Sequence, residues 1–284
     1  MILTGRARLA GVVGWPVAHS RSPRLHGYWL ERYGIDGAYV PLAVEPGDLA
    51  ACLRLLPRMG FRGVNVTLPH KEAALGVVDE ADDQARRVGA VNTVIAREDG
   101  RLYGTNTDGH GFLANLGACQ PGWRADAGPA VVLGAGGAAR AVVAALLDRA
   151  VPEVRIVNRS RDRADALARD VVRAGDPPVT ALDWEGRNEA LAGAGLIVNC
   201  TVLGMSGQPA LDLDLAAAPP DAVVADIVYT PLETPLLAAA RARGCAVVDG
   251  LGMLLYQAVP GFAAWYGVTP EVTPELRDFV MQDG

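Results

Sequence analysis

Residues 130–150 read AVVLGAGGAARAVVAALLDRA, an apolar strand that breaks straight into a glycine turn and then an apolar helix. Gly134, Gly136 and Ala139 fill the pattern G-x-G-x-x-G/A, and Gly137 adds a further bare backbone position. The first glycine permits the tight turn and the second lets the backbone approach a pyrophosphate. The small third residue lets helix and strand pack closely, and the helix N-terminus faces the phosphates. Such a pattern is weak alone. A strand before it and a helix after it supply the context of a dinucleotide site.

The strand that follows ends in VRIVNRSRDRA, residues 154–164. An NAD site places Asp or Glu there, about 20 residues on, to bind the ribose 2′-hydroxyl. Here Asn158 stands 24 residues after Gly134 (158 − 134), followed by Arg159, Ser160, Arg161 and Arg163. A carboxylate would repel a 2′-phosphate, whereas arginines pair with it and stack on adenine, so the reading is NADP. The ordinary alternative is a solvated basic helix start.

Outward from this unit, strand-like and helix-like segments alternate, the pattern of an α/β protein with a largely parallel sheet. Strands are expected over 8–13, 38–42 and 63–68, and later over 153–158, 196–200, 222–227 and 246–249. Ser22 and Pro23 read as N-cap and first helical position of a helix that stops at Gly34. A helix is expected over 46–56, another opens near Lys71, and strands 92–96 and 101–103 flank the hairpin signal Asp99-Gly100. Residues 251–266 form one long helix too apolar to stand alone. Residues 117–129, rich in Gly, Pro and Ala, read as the domain boundary.

At 284 residues the chain is long enough for two domains of about 150 residues each. Half of it is hydrophobic, enough for two ordinary cores. The net charge of −6 is the reverse of a nucleic-acid binder's basic excess. No apolar run approaches the roughly 18 residues that span a bilayer, and Arg6 and Arg8 interrupt what would be a signal core. Cys52, Cys119, Cys200 and Cys245 are scattered, with no CxxC pair and no zinc spacing. No metal, nucleic acid or membrane partner is expected, and reduced thiols point to the cytoplasm. His19, His26, His70 and His110 read as structural or solvent-facing.

Several polar clusters in the N-terminal half sit where a core would not want them. In VGWPVAHSRSPRLHG, 13–27, Ser20 and Ser22 flank a helix N-terminus, a good place for a carboxylate. For Ser22 alone, plain capping is the simpler role. In GVNVTLPHK, 63–71, alternation puts Asn65 and Thr67 on one sheet face, where a polyhydroxylated ligand would supply partners. Lys71 stands in the first turn of the next helix, where the dipole disfavours a cation, which suits a residue that passes protons. Asn92 in GAVNT and residues 106–108 in GTNTDGHG complete the set. Asp108 either caps the following helix or relays a proton with Lys71.

The ordered motifs HSRSP, NVTLPHK, GAVNT, NTD, GAGGAARA, NRS, NCTVLGM, DIVYTPLETPLL and GMLLYQA, spread over residues 11–265, resemble the shikimate dehydrogenase family. The resemblance implies NADP-linked reduction of 3-dehydroshikimate to shikimate in aromatic amino-acid biosynthesis. It implies an α/β protein of two domains: an N-terminal substrate domain with a mainly parallel sheet over 1–107 and a Rossmann-type NADP domain over 108–249. Helices in 250–284 would return to the substrate domain, and the active site would lie in the cleft between the domains. Lys71 and Asp108 would be the catalytic pair, Asp108 also touching substrate. Ser20 and Ser22 would bind the substrate carboxylate, Asn65, Thr67, Asn92 and Gln257 the ring hydroxyls, and Tyr229 would line the substrate side.

For the cofactor, the resemblance implies Gly134, Ala135, Gly136, Gly137 and Ala138 at the pyrophosphate. Asn158, Arg159, Ser160, Arg161, Asp162 and Arg163 would take the adenosine 2′-phosphate. Ile227, Gly250 and Met253 would flank the nicotinamide, and Asp83 matches an acidic cofactor contact. The chain departs from the family at Gly27, where Asn is common, and at Pro260-Gly261, which interrupts a stretch more often continuous. Alternatives are a relative acting on quinate, on both quinate and shikimate or on an amino analogue, and a dinucleotide-binding regulator without turnover. A monomer or a homodimer is expected.

Overall fold

In the computed structural model, which describes residues 2–282, the chain up to Thr107 and again from Leu255 forms one unit, and Asp108–Leu254 forms a second. The first contains β1 (Arg8–Gly14), α1 (Ser22–Arg32), β2 (Gly37–Ala43), α2 (Leu49–Leu55), β3 (Phe61–Val66), α3 (Lys71–Leu75), β4 (Glu80–Ala81), α4 (Asp83–Val88), β5 (Thr93–Ala96) and β6 (Leu102–Thr105). Its sheet runs β2-β1-β3-β5-β6-β4. β1 pairs in parallel with β2 and β3, and β4 with β6. β5 is antiparallel to both neighbours, the hairpin that Asp99-Gly100 signals.

Two local expectations need correction here. The N-cap of α1 is Arg21, already helical in backbone, and its own side chain makes no capping bond; Ser22 is the first helical residue rather than the cap, and its hydroxyl lies beside Tyr39. The expected helix 46–56 is a short 3-10 turn over Pro46–Asp48 followed by α2, since Pro46 and Gly47 favour a tight turn over a regular helix.

The second unit contains α5 (Asp108–Cys119), β7 (Ala130–Leu133), α6 (Gly137–Asp148), β8 (Val154–Asn158), α7 (Arg161–Val171), β9 (Val179–Asp183), β10 (Leu196–Asn199), β11 (Val223–Asp226), α8 (Pro235–Ala242) and β12 (Ala246–Val248). Every pairing is parallel, and the order β12-β11-β10-β7-β8-β9 is that of a Rossmann sheet, with its switch point between β7 and β10. Successive residues of β7 are all apolar because both faces are covered. Ala130 and Val132 enter one core with α5 and α6, and Val131 and Leu133 enter the other with α8. Residues 117–129 lie inside this unit: α5 packs on α6 and the stretch only links α5 to β7.

The chain then enters α9 (Leu251–Tyr266), and α10 (Pro274–Met281) closes the described part. Pro260 sits within α9 without ending it. From Leu255 on, α9 belongs to the first unit, where Phe262 packs 5.2 Å from Trp29 and 4.7 Å from Tyr266, ring centre to ring centre. Among the described residues no helix is long and apolar enough to cross a membrane.

Candidate functional site

A buried chain of polar side chains runs through the first unit. The Tyr39 hydroxyl on β2 donates to Asn65 Oδ1 on β3 at 2.6 Å. Asn65 Nδ2 donates to the Asn92 carbonyl at 3.2 Å and to the Thr93 hydroxyl at 3.1 Å. Thr93 donates to Asn92 Oδ1 at 3.0 Å, which also accepts from the Thr107 N–H at 2.9 Å. Asn92 Nδ2 reaches the Thr107 hydroxyl at 3.0 Å and Gln257 Oε1 at 3.4 Å, and Thr107 donates to the Gln257 carbonyl at 2.8 Å. Burying so many polar groups is tolerable only because each finds a partner.

Tyr39 and His26 form the floor of this chain. Burial, reinforced by Tyr266, holds the Tyr39 hydroxyl well above the usual tyrosine range, with the adjacent Ser22 hydroxyl opposing. The His26 ring stacks on Tyr39, centroids 3.9 Å apart and planes 1° from parallel. It is wholly buried, and neither ring nitrogen has a hydrogen-bond partner. Burial pulls its pKa down to about 3; Asn65 is near enough to oppose that shift but is not in hydrogen-bonding geometry.

The other expected residues of this unit hang on the same framework. Ser20 Oγ accepts from the Ser22 N–H at 3.3 Å in the turn before α1. Thr67 follows β3, its N–H bonded to the Val13 carbonyl at 2.9 Å. Lys71 opens α3, half-buried, and its carbonyl accepts from the Val91 N–H at 2.8 Å, which ties α3 to the loop carrying Asn92. His70 is buried and its Nε2 lies 2.8 Å from the Val44 carbonyl, a structural tie. Asp83 opens α4, exposed, beside the capping residue Asp82.

The second unit carries the glycine turn. Gly134, at φ +109°, continues from β7, and a Cβ there would lie 3.1 Å from the Cys200 carbonyl oxygen. Gly136 is the N-cap of α6 with no side-chain cap, and neither Gly136 nor Gly137 has anything within 4 Å of where a Cβ would stand. The turn from Gly134 to Ala138 is therefore a bare cradle at the N-terminus of a twelve-residue helix, which fits a pyrophosphate. The Gly134 N–H bonds to the Val157 carbonyl at 2.8 Å, which sets the turn after β8 beside this cradle.

In that turn Asn158 Nδ2 donates to the Ser160 carbonyl at 2.9 Å, and Ser160 caps α7 by position alone. Arg161 is held by Asp165 at 3.1 Å and Asp183 at 3.3 Å, while Arg159, Asp162 and Arg163 are exposed. Arg161 is thus a less available cation than its spacing suggests. Near the ends of the central strands, Ile227 and Met253 pack on the apolar core, and a Cβ at Gly250 would strike the Ile227 carbonyl oxygen at 2.2 Å. Tyr229 is half-buried just past β11, and Asp108 is the buried first residue of α5.

Sequence reasoning placed Thr107 in the cluster 106–108 but missed Tyr39 and Thr93 as network members, and the closed set around Asp226. That carboxylate accepts from Asn199 Nδ2 at 3.0 Å, the Val228 N–H at 3.0 Å and the Thr234 hydroxyl at 2.7 Å. Burial raises its pKa against those three bonds. The motifs NCT and DIVYTPLETP held the signal, since polar residues at the ends of apolar strands must find partners.

The family model for the shikimate dehydrogenase substrate binding domain matches residues 12–94, and that for shikimate / quinate 5-dehydrogenase matches 124–204. The shikimate dehydrogenase (NADP(+)) of Paramagnetospirillum magneticum is 62% identical over 279 residues, 98% of this chain and 100% of that protein. Among solved structures, the shikimate 5-dehydrogenase of Thermus thermophilus in complex with NADP(H) and shikimate is similar at a TM-score of 0.83 and 40% identity, covering 96% of this chain and 98% of that one. The quinate dehydrogenase of Corynebacterium glutamicum in complex with NAD is similar at a TM-score of 0.89 and 34% identity, again over 96% and 98%.

Proposed function

The chain belongs to the shikimate dehydrogenase family, and from that premise we propose that it is the NADP-dependent enzyme that reversibly reduces 3-dehydroshikimate to shikimate, working toward aromatic amino acids. The observation that carries the substrate reading is the single hydrogen-bonded set that joins Asn65, Asn92, Thr107 and Gln257, with the Lys71 carbonyl tied to the loop that holds Asn92. A polyhydroxylated ring is the ligand that such a set of preoriented amides and hydroxyls suits.

The residues of this chain divide the work as follows. Ser20 and Ser22 bind the carboxylate, and Asn65, Thr67, Asn92 and Gln257 orient the ring through its hydroxyls, with Tyr229 lining the substrate side. Lys71 and Asp108 hold and move the proton of the hydroxyl being oxidised, a general acid–base step of about a hundredfold or more. NADP, when bound, supplies the acceptor or donor of the hydride. Gly134, Ala135, Gly136, Gly137 and Ala138 cradle its pyrophosphate. Arg159 and Arg163, with Asn158, Ser160, Arg161 and Asp162 shaping the turn, take the 2′-phosphate. Ile227, Gly250 and Met253 flank the nicotinamide, and Asp83 is a further cofactor contact.

The test is a set of initial rates with shikimate and quinate, each with NADP and with NAD. Fast turnover with shikimate and NADP alone is expected. Equal rates with quinate or NAD would move the protein to a broader relative, and no turnover despite NADP binding would leave a regulator. Lys71→Ala is expected to keep NADP binding and to lower kcat by about a hundredfold or more; a near-normal kcat removes Lys71 from the proton step.

A further inference from the structure

Asn65 has little freedom in how it meets a ligand. Its Nδ2 faces the Asn92 carbonyl oxygen, which can only accept, and this assigns the amide nitrogen to that side. Its second N–H goes to the Thr93 hydroxyl, so both donors are spent inside the protein. Its Oδ1 accepts the Tyr39 hydroxyl at 2.6 Å, which leaves one lone pair on that oxygen. Tyr39 in turn has nowhere to move: it is buried on β2, its ring is stacked flat against His26, and the Ser22 hydroxyl lies beside its oxygen.

We propose that Tyr39 is a positioning residue for the substrate, its hydroxyl locking the Asn65 amide so that Asn65 presents a single acceptor, Oδ1, to a ring hydroxyl that donates. His26 is the rigid plate that keeps the Tyr39 ring in place. The arrangement selects for a hydroxyl at that ring position and against a carbonyl or ether oxygen, which would meet Oδ1 lone pair to lone pair. This rests on the reading that Asn65 binds substrate. It goes beyond it in assigning the direction of that hydrogen bond and the residue that sets it.

Tyr39→Phe removes one hydroxyl and preserves the stacked ring. The expected result is a rise of about tenfold in KM for shikimate, the size of one hydrogen bond, with kcat within about twofold and KM for NADP unchanged. A misfolding effect would move all three together, and that outcome overturns the proposal. Asn65→Ala supplies the control. It should raise KM for shikimate, and adding Tyr39→Phe to it should change nothing further, because Tyr39 acts through Asn65. If Asn65→Ala raises KM but Tyr39→Phe does not, the positioning role is wrong. If Asn65→Ala leaves KM unchanged, the underlying substrate reading fails instead. Should Tyr39→Phe not fold, His26→Leu removes the plate and keeps the hydroxyl. It is expected to raise KM for shikimate selectively, and an unchanged KM overturns the proposal.

Discussion

His26 shows how far environment, rather than residue type, decides chemistry at the scale of one side chain. Folded, its pKa lies at about 3 because burial disfavours the cation; unfolded, it returns to 6.5. The folded value is the lower one, so its contribution to stability is complete above pH 6.5 and is lost as pH falls from there toward about 3. The loss approaches about 1.4 kcal/mol per pH unit inside that window. His26→Phe keeps the stacked ring and abolishes the titration. Its urea-denaturation stability is therefore expected to fall less steeply than the parent's between pH 6 and pH 4, roughly the upper part of that window; parallel curves would refute the buried neutral ring. Nothing in VGWPVAHSRSPRLHG distinguishes His26 from the exposed His19, since exposure is a property of what α9 and β2 bring to it. Ser22 reads as a cap for the same reason: Tyr39, beside which its hydroxyl lies, is seventeen positions away in sequence (39 − 22).

At the scale of elements, β7, the glycine turn and α6 were legible because strand, turn and helix there depend on neighbours in sequence alone. β9 and β4 were not. Val179–Asp183 is an edge strand with an alternating, partly polar pattern, and Glu80–Ala81 is two residues long. Both exist because a neighbouring strand offers its hydrogen bonds. Two glycines that look alike in sequence separate here. Gly136 faces open space in an extended conformation that alanine adopts freely, so Gly136→Ala should leave the denaturation midpoint almost unchanged and raise KM for NADP. Gly250→Ala must push a methyl into the Ile227 carbonyl, and is expected to cost about 1–3 kcal/mol of stability, read from the same denaturation curves. An equal stability loss in both would mean that the cradle at Gly136 is structural rather than reserved for a ligand.

At the scale of the molecule, the two units have separate hydrophobic cores and each carries one half of the proposed chemistry. Hydrogen exchange should show that partition: NADP is expected to slow exchange in residues 134–138 and 158–163, and shikimate in residues 20–22 and 65–71. NADP protection confined to the first unit would overturn the assignment of the glycine turn. By itself the sequence determined the α/β class, the glycine turn between β7 and α6 and the arginine-rich turn after β8. Those features are local: they follow from periodicity, from glycine at a turn and from charge at a helix start. Only the tertiary structure decided that Arg161 is already paired, and that Tyr39, Thr93 and Thr107 complete the buried set around Asn65 and Asn92. Those depend on which distant groups share a buried volume, where every donor must find an acceptor, and no spacing along a chain encodes that meeting.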